Sequence, residues 1–321
     1  MPEAVATTYR PISFLVPQIM LAMKSTLQTT MGSRAELSGL EVRMIGELDE
    51  YGELTMTSLV EIVGNDKSQV SQALKRLMTR KIIRRDALRA PLSLTPQGKA
   101  IAQKLAAGAR HDYQALFKGF RRQEQDQFMS GLWCLTQAAA QLLDEERRLD
   151  AQHTTSNKPQ RIYNNKFAAL SGVMLPEMAP KRLVALATLL RRSSFLAFKR
   201  LTGLPNNASI LLVCVWDYGP VTAKHLSELT GRAKGRIERD AAQLTKLELI
   251  QRGKSLASHD WIFDRAEAAS AACKKLAAEI SRREQRLIQD FSESEHKVFR
   301  SLLARAASNA AAMDAKRRDR S

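Results

Sequence analysis

Between residues 38 and 147 the apolar positions change their spacing twice, and each change marks an element. Leu40, Met44, Ile45 and Leu48 recur at helical steps. They follow Ser38-Gly39-Leu40-Glu41, whose Ser and Glu stand three apart as a capping box. Gly52 ends that helix. Thr55 to Val63 predicts a second short helix closed by Gly64, and Asn65 or Asp66 caps a third that runs to about Arg80. In the third helix Val70, Ala73, Leu74 and Leu77 form one buried face, and Ser68, Gln69, Ser71, Gln72, Lys75 and Arg76 lie opposite. Two short helices around a Gly turn, the second polar and basic outside, make a helix-turn-helix.

The period then shortens. Ile82–Arg85 and Leu92–Leu94 read as two short strands joined by the tip Asp86 to Pro91, a β-hairpin wing. Thr95-Pro96 supplies an N-cap and an N1 proline for a helix towards residue 120. Over 124–147, Phe128, Leu132, Leu135, Ala139 and Leu142 alternate steps of four and three, the seam of a helix packed on a helix. Upstream, 12–31 is mostly apolar and helical, interrupted by Pro17.

Positions 51–86 overlay 218–253 without a gap at an offset of 167. Ten positions are identical: Tyr51/Tyr218, Gly52/Gly219, Thr55/Thr222, Leu59/Leu226, Glu61/Glu228, Gly64/Gly231, Lys67/Lys234, Leu77/Leu244, Ile83/Ile250 and Arg85/Arg252. So long a period predicts a whole domain present twice, not a solenoid of short units. The second copy is expected to run as follows: helix 164–200 with breaks at Pro176 and Pro180, short helices at about 206–217, 222–230 and 232–247, and wing strands Leu249 to Arg252 and Trp261 to Phe263. A capping box of Asp264 and Glu267 then opens a helix to about 290, and Ser294 opens a last one to about 313. The expected organisation is therefore a first unit over 1–147, a polar linker over 148–162, a diverged second unit over 163–313 and a basic tail over 314–321. The fold class is mainly α with small β wings: tandem winged helix-turn-helix domains plus a helical pseudo-dimerisation domain.

Charge gives this architecture a partner. The chain of 321 residues carries a net charge of +17 and a pI near 10.1, which points to nucleic acid or an anionic surface. Gly64 to Ala90 holds eight Lys/Arg against two acidic residues, and Gly231 to Ala257 seven against three. Much of the excess thus lies on the helix-turn-helix and wing elements. Cys134, Cys214 and Cys273 stand far apart in apolar helical contexts, without disulfide or zinc spacing, and are expected to be buried and inert. Five scattered histidines, and the lack of a glycine phosphate loop or nucleophile motif, predict no metal, no cofactor and no enzyme activity. Neither a secretory signal nor a long apolar run is visible, so a cytoplasmic location is expected. Trp133, Trp216 and Trp261 are expected in the core or in a pocket wall.

The run Leu54 to Leu94, with "DKSQVSQALKRL", then "II" and an Arg, then "LSLTPQG", resembles the winged helix-turn-helix of the MarR family of bacterial transcription regulators. The second copy, "TAKHLSELTGRAKGRIERDAAQLTKLELIQR", keeps the frame but not the polar signature, and the first wing is shorter than the family's usual basic loop. Such regulators are homodimers with interleaved terminal helices. The resemblance therefore implies a single-chain pseudo-dimer acting as a monomer with internal pseudo-two-fold symmetry, and a pocket for a small aromatic or anionic effector.

Double-stranded DNA is then the expected partner. Ser68, Gln69, Ser71 and Gln72 would read bases, with Lys67, Lys75, Arg76, Arg84, Arg85 and Arg89 around them. In the second copy Gly235, Arg236, Glu238 and Arg239 are equivalent, with Lys234, Arg252 and Lys254 beside them. Glutamine suits adenine, arginine guanine and glutamate the cytosine amino group. The unlike faces predict unlike half-sites, and repression by promoter occlusion is the expected outcome. The rival expectations are a plasmid-type replication initiator, which would lack long helix pairs after each wing, and a helical scaffold for acidic proteins.

Overall fold

A computed structural model of the chain describes residues 11–27, 37–63, 67–87, 90–153, 179–230, 232, 234–254 and 260–318. The first winged helix, here head one, comprises α2 (Gly39–Tyr51), α3 (Met56–Val63), α4 (Lys67–Thr79), β1 (Ile83–Arg85) and β2 (Leu92–Leu94). Helix α1 (Ile12–Leu27) precedes it, and α5 (Pro96–Leu116) and α6 (Arg122–His153) follow. Helix α7 (Ala179–Thr202) leads into head two: α8 (Asn206–Tyr218), β3 (Val221–Thr222), α9 (Ala223–Thr230), α10 (Lys234–Lys246), β4 (Ile250–Lys254) and β5 (Trp261–Arg265). Helices α11 (Ser270–Ile288) and α12 (Glu293–Arg318) close the chain.

The sequence offset reappears in the elements. Helices α1, α2, α3 and α4 begin 167 residues before α7, α8, α9 and α10, and the last three of each set also end 167 apart. Leu77 and Leu244, at one repeat position, are both fully buried, each contributing about 1.5–3 kcal/mol of burial. Lys81 and Glu248 share a position too, and both adopt the left-handed region at φ 55° and 58°. The chain turns there from the third helix into the wing, with Ile82 N–H donating to Leu77 O in head one and Leu249 N–H to Leu244 O in head two.

The capping box on α2 forms as the sequence predicts: Ser38 N–H donates to Glu41 Oε2 at 2.6 Å and Glu41 N–H to Ser38 Oγ at 3.3 Å. In the first wing, Ile83 pairs with Leu94 and Arg85 with Leu92, antiparallel, and Leu54 adds a single bridge to Leu92. Head two extends this plan. Its β3 starts at the position equivalent to Leu54, and the strand order is β3-β5-β4 with five paired positions between β4 and β5. Thr95 caps α5 by accepting Gly98 N–H at 3.0 Å, and its hydroxyl donates to Lys81 O at 2.6 Å. A Cβ at Gly98 would lie 2.2 Å from Ile82 O, so only glycine lets α5 start this close to the wing.

The chain divides into two compact units built from discontinuous segments. The unit of head one spans Ile19–Met129, Leu175–Val184 and Leu302–Ser321; that of head two spans Met1–Gln18, Ser130–Met174 and Ala185–Ser301. Each unit thus includes segments from the other repeat. In the unit of head two, Ile12 N–H at the start of α1 donates to Glu284 Oε1 of α11 at 2.7 Å, and Gln18 Nε2 donates to Leu229 O. Gly131 of α6 meets Phe299 of α12, where a Cβ would fall 2.1 Å from the ring. In the unit of head one, Arg305 of α12 pairs with Glu124 of α6 at 2.5 Å, and Asn309 Nδ2 donates to Leu116 O at 2.9 Å. All five seam residues from Phe128 to Leu142 are buried.

Glu146, with no exposed side-chain surface, anchors the last turns of α6 in the unit of head two. It pairs with Arg200 of α7 and with Arg282 and Arg283 of α11, the latter two at 3.3 and 3.9 Å. Arg283 also donates to the buried Ser193 hydroxyl.

Several boundaries move. Helix α1 passes through Pro17 because the ring is exposed and only one backbone bond is lost, while Ile12, Leu15, Val16, Ile19 and Met23 bury the other face. Pro180 is the second residue of α7, where no intrahelical acceptor awaits its missing N–H; Pro176 lies outside the described residues. Helix α6 continues to His153, so the first six residues of the expected linker are helical. Asp264 is consumed by β5, paired with Gln251; after it come a 3-10 turn at Glu267–Ala269 and a helix that starts at Ser270 without a side-chain cap. Ser292 rather than Ser294 caps α12, its N–H donating to Glu295 Oε2 and its Oγ accepting Glu295 N–H. That helix runs to Arg318, through most of the expected tail.

Glu146→Ala would strand two or three arginine charges around an apolar gap, at a cost of about 3–5 kcal/mol, read as a lowered unfolding midpoint in urea. Glu284 behaves differently: burial pushes its carboxyl above the usual range, against the Ile12 N–H and Arg300. A raised folded-state pKa gives stability that is present below the unfolded value and lost as pH rises through the folded one. Glu284→Gln keeps an acceptor for Ile12, so it is expected to raise Tm relative to the parent at pH 7.5, with the gap closing towards pH 4.

Candidate nucleic-acid interface

The outer face of α4 forms because its apolar residues recur on one side only. Val70, Ala73, Leu74 and Leu77 are buried, while Lys67, Ser68, Gln69, Gln72, Lys75 and Arg76 are exposed and Ser71 is half-buried. The N-terminal turns therefore offer hydroxyl, amide and ammonium groups together. At the other end, Arg76 Nε donates to Glu41 Oε1 at 2.7 Å. Burial would raise the Glu41 carboxyl, but hydrogen bonds from Ser38 and from Arg76 hold it below the usual range. Arg76 thus ties α4 to α2, a role that spacing alone did not reveal.

The first wing is braced internally. Arg84 Nε donates to Ser93 Oγ at 3.2 Å across the ladder, and Arg85 Nε to Ala90 O at 3.0 Å. Arg84 is exposed and Arg85 half-buried. Arg89 lies outside the described residues. The structure gathers Lys67, Ser68, Gln69, Ser71, Gln72 and Lys75 on one short helix, with Arg84 and Arg85 on the hairpin that follows.

Head two builds the same elements with different chemistry. On α10, Ile237, Ala241 and Leu244 are buried, Lys234, Gly235, Arg236 and Arg239 exposed and Glu238 half-buried. Lys234 Nζ lies 3.3 Å from Asp260 Oδ1, at the tip end of the wing just before β5. Arg232 pairs with Asp240, nearly two turns into the helix, and Arg239 Nε donates to Gly235 O at 3.2 Å. On the wing, the Arg252 guanidinium stacks 3.4 Å from the centre of the Trp261 ring, with Lys254 Nζ at 5.4 Å. Trp261 is half-buried, packed against the core of head two, and also holds a cation over its outer face. Trp133 and Trp216 are half-buried. The sequence signal for the stacked pair was the alternation along β4 and β5, which places Arg252 opposite Phe263 and Lys254 opposite Trp261.

The remaining chemistry is quiet. Among the described residues no group of three or more His, Cys, Asp or Glu is placed to hold a metal ion. No described helix is long and apolar enough to cross a membrane. The three thiols are free. Burial pushes Cys214 up to about 12 and Cys273 up to about 11, and it raises the half-buried Cys134 as well. A shallow cleft of about 520 Å³ lies within the unit of head two, lined by Glu145, Arg148, Leu149, Gln152, Arg200, Glu279 and Arg282. It is formed by α6, α7 and α11, not by the wing.

No protein-family model matches the sequence. No curated protein matches it either. Among solved structures the chain is similar to the crystal structure of MarR, with 23% identity over 39% of this chain and 88% of that one and a TM-score of 0.34. It is also similar to a probable transcriptional regulator from Pseudomonas aeruginosa, with 24% identity over 36% of this chain and 93% of that one and a TM-score of 0.30.

Thiol chemistry offers a direct check on the quiet cysteines. At pH 8 iodoacetamide is expected to label Cys134 slowly and Cys214 and Cys273 only after unfolding, since the thiolate is the nucleophile. Mass spectrometry of digests reads the order.

Proposed function

We propose that this protein is a sequence-specific DNA-binding transcription regulator, acting as a repressor by occluding a promoter. The observation that carries the reading is the α4 face: polar side chains over its first turns, a buried opposite face, and a basic hairpin directly behind. A helix of that kind delivers its N-terminal side chains to base edges while flanking cations meet phosphate. Ser68, Gln69, Ser71 and Gln72 read bases, Lys67 and Lys75 neutralise phosphate, and Arg84, Arg85 and Arg89 extend the contact along the wing. In head two, Arg236 and Arg239 take the reading positions, with Lys234, Arg252 and Lys254 towards the backbone.

The chain acts as a single-chain pseudo-dimer on an operator whose half-sites differ. Two features support this: the helix bounds that recur at the 167-residue offset, and the presence in each unit of segments from the other repeat. The long helices after each wing, α5 with α6 and α11 with α12, favour a regulator over a replication initiator. A small aromatic or anionic effector is part of the proposal, and a cytoplasmic location fits DNA as the partner.

Selection from a random duplex pool is expected to return two unlike half-sites; a perfect inverted repeat would count against the pseudo-dimer with unlike heads. Gln69→Ala is expected to relax preference at one position by about 1–3 kcal/mol. Lys67→Ala should instead weaken all sequences alike and reduce the log–log salt slope by about 0.9. Failure of the purified chain to bind any duplex at low ionic strength would sink the reading.

A further inference from the structure

Up to the first wing strand, residues 167 apart stand at equivalent places in the two heads; Asp66 and Asp86 of head one become Ala233 and Gly253, while head two gains carboxylates on and just after its recognition helix. Ser71, Ala73 and Lys81 of head one correspond to Glu238, Asp240 and Glu248, and the longer second wing, whose return strand pairs four residues later, adds Asp260 just before Trp261. Three sites that carry no negative charge in head one are thus carboxylates in head two, and Asp260 is a further carboxylate on the wing. Two of these carboxylates are engaged with cations that a DNA backbone would need: Asp240 with Arg232, and Asp260 with Lys234. Lys67 is at the repeat position of Lys234; in head one the Ser93 hydroxyl, opposite Arg84 in the ladder, accepts from Arg84 Nε. On the recognition helices the difference lies in side-chain chemistry, since their bounds match; at Asp260 it comes with the longer second wing.

We infer that Asp260, supported by Asp240, is a built-in competitor for DNA phosphate on head two, so that head one anchors the chain on any duplex and head two engages where its bases match. This rests on the proposed function. A phosphate approaching Lys234 must displace the Asp260 carboxylate and then share the site with its negative charge. Counterion release, the sequence-independent part of binding, is therefore smaller on head two. The base-edge contacts of Arg236 and Arg239 do not suffer this competition and set a larger share of its binding. Asp260 is in this sense a specificity-determining residue that never touches a base. The pair is half-exposed, at 52% and 39% of side-chain surface, so it exchanges readily and its removal leaves the fold intact.

The test uses the full-length chain and a random-sequence duplex of fixed length, with binding followed by fluorescence anisotropy. Between about 50 and 200 mM salt, Asp260→Asn is expected to steepen the log–log slope by about 0.9, one further phosphate contact, and to raise affinity at the lower salt by about threefold or more. Adding Lys234→Gln to Asp260→Asn is expected to abolish the gain. Asp290→Asn removes the same charge beyond the end of α11 and is expected to change neither slope nor affinity. An unchanged slope in Asp260→Asn overturns the inference. So does a gain that survives Lys234→Gln, or an equal gain from Asp290→Asn, which would assign the effect to net charge. Should Asp260→Asn melt early, Asp260→Ser serves in its place. A parent chain that binds no duplex overturns the proposed function, and this inference with it; a parent that binds while the variants behave alike overturns the inference only.

Discussion

A carboxylate with no exposed surface can stay in a protein interior only where cations surround it, and Glu146 imposes that condition on the unit of head two. Its partners come from the other repeat: Arg200 of α7 and Arg282 and Arg283 of α11. Desolvating such a group is costly, and its pairs offset that cost only in a fixed geometry. The end of α6 is thereby held against helices that the chain reaches some fifty to one hundred and forty residues later. Apolar seams tolerate sliding by a turn; a buried charge with three arginines does not. Buried carboxyls also fix the start of α1, where Glu284 accepts the Ile12 N–H, and the end of α4, where Glu41 accepts from Arg76.

With the helices held in this way, each head presents its recognition helix as an ordinary amphipathic element. What differs between the heads is the company of the cations. In head one, Lys67 and Lys75 stand exposed and the wing arginines are braced by a hydroxyl and a carbonyl, neutral partners that leave the positive charge uncompensated. In head two, the matching lysine has a carboxylate neighbour and Arg252 leans on an indole. Charge counts along the sequence, +6 against +4 over the two stretches, understate this contrast, because they do not say which charges face one another.

Much of the fold was legible. Helical steps of three and four placed α2, α3 and α4 within a residue or two, and the capping box at Ser38, the proline at the start of α5 and the hairpin after α4 were readable from residue type. Helix starts in the second half were less so. Asp264 and Glu267 carry the spacing of a capping box, yet the longer wing ladder claims Asp264, and local capping yields to five strand pairings. At α12 the local signal favours Ser292, which has Glu295 three residues on as a capping box, over Ser294, which has Lys297 there. Pro17 looked like a break because sequence does not reveal that its ring faces solvent while five neighbours bury the other side.

The sequence by itself determined the periodicity, the repeat and the inventory of charged and polar groups on each recognition helix. These depend on neighbours a few residues apart, and the chain carries that information directly. Only the tertiary structure decided which charges meet. The pairing of Lys234 with Asp260, of Arg76 with Glu41 and of Glu146 with its arginines joins residues 26, 35 and 54 to 137 positions apart. An electrostatic contact depends on distance in space, and that distance exists only once the helices have packed.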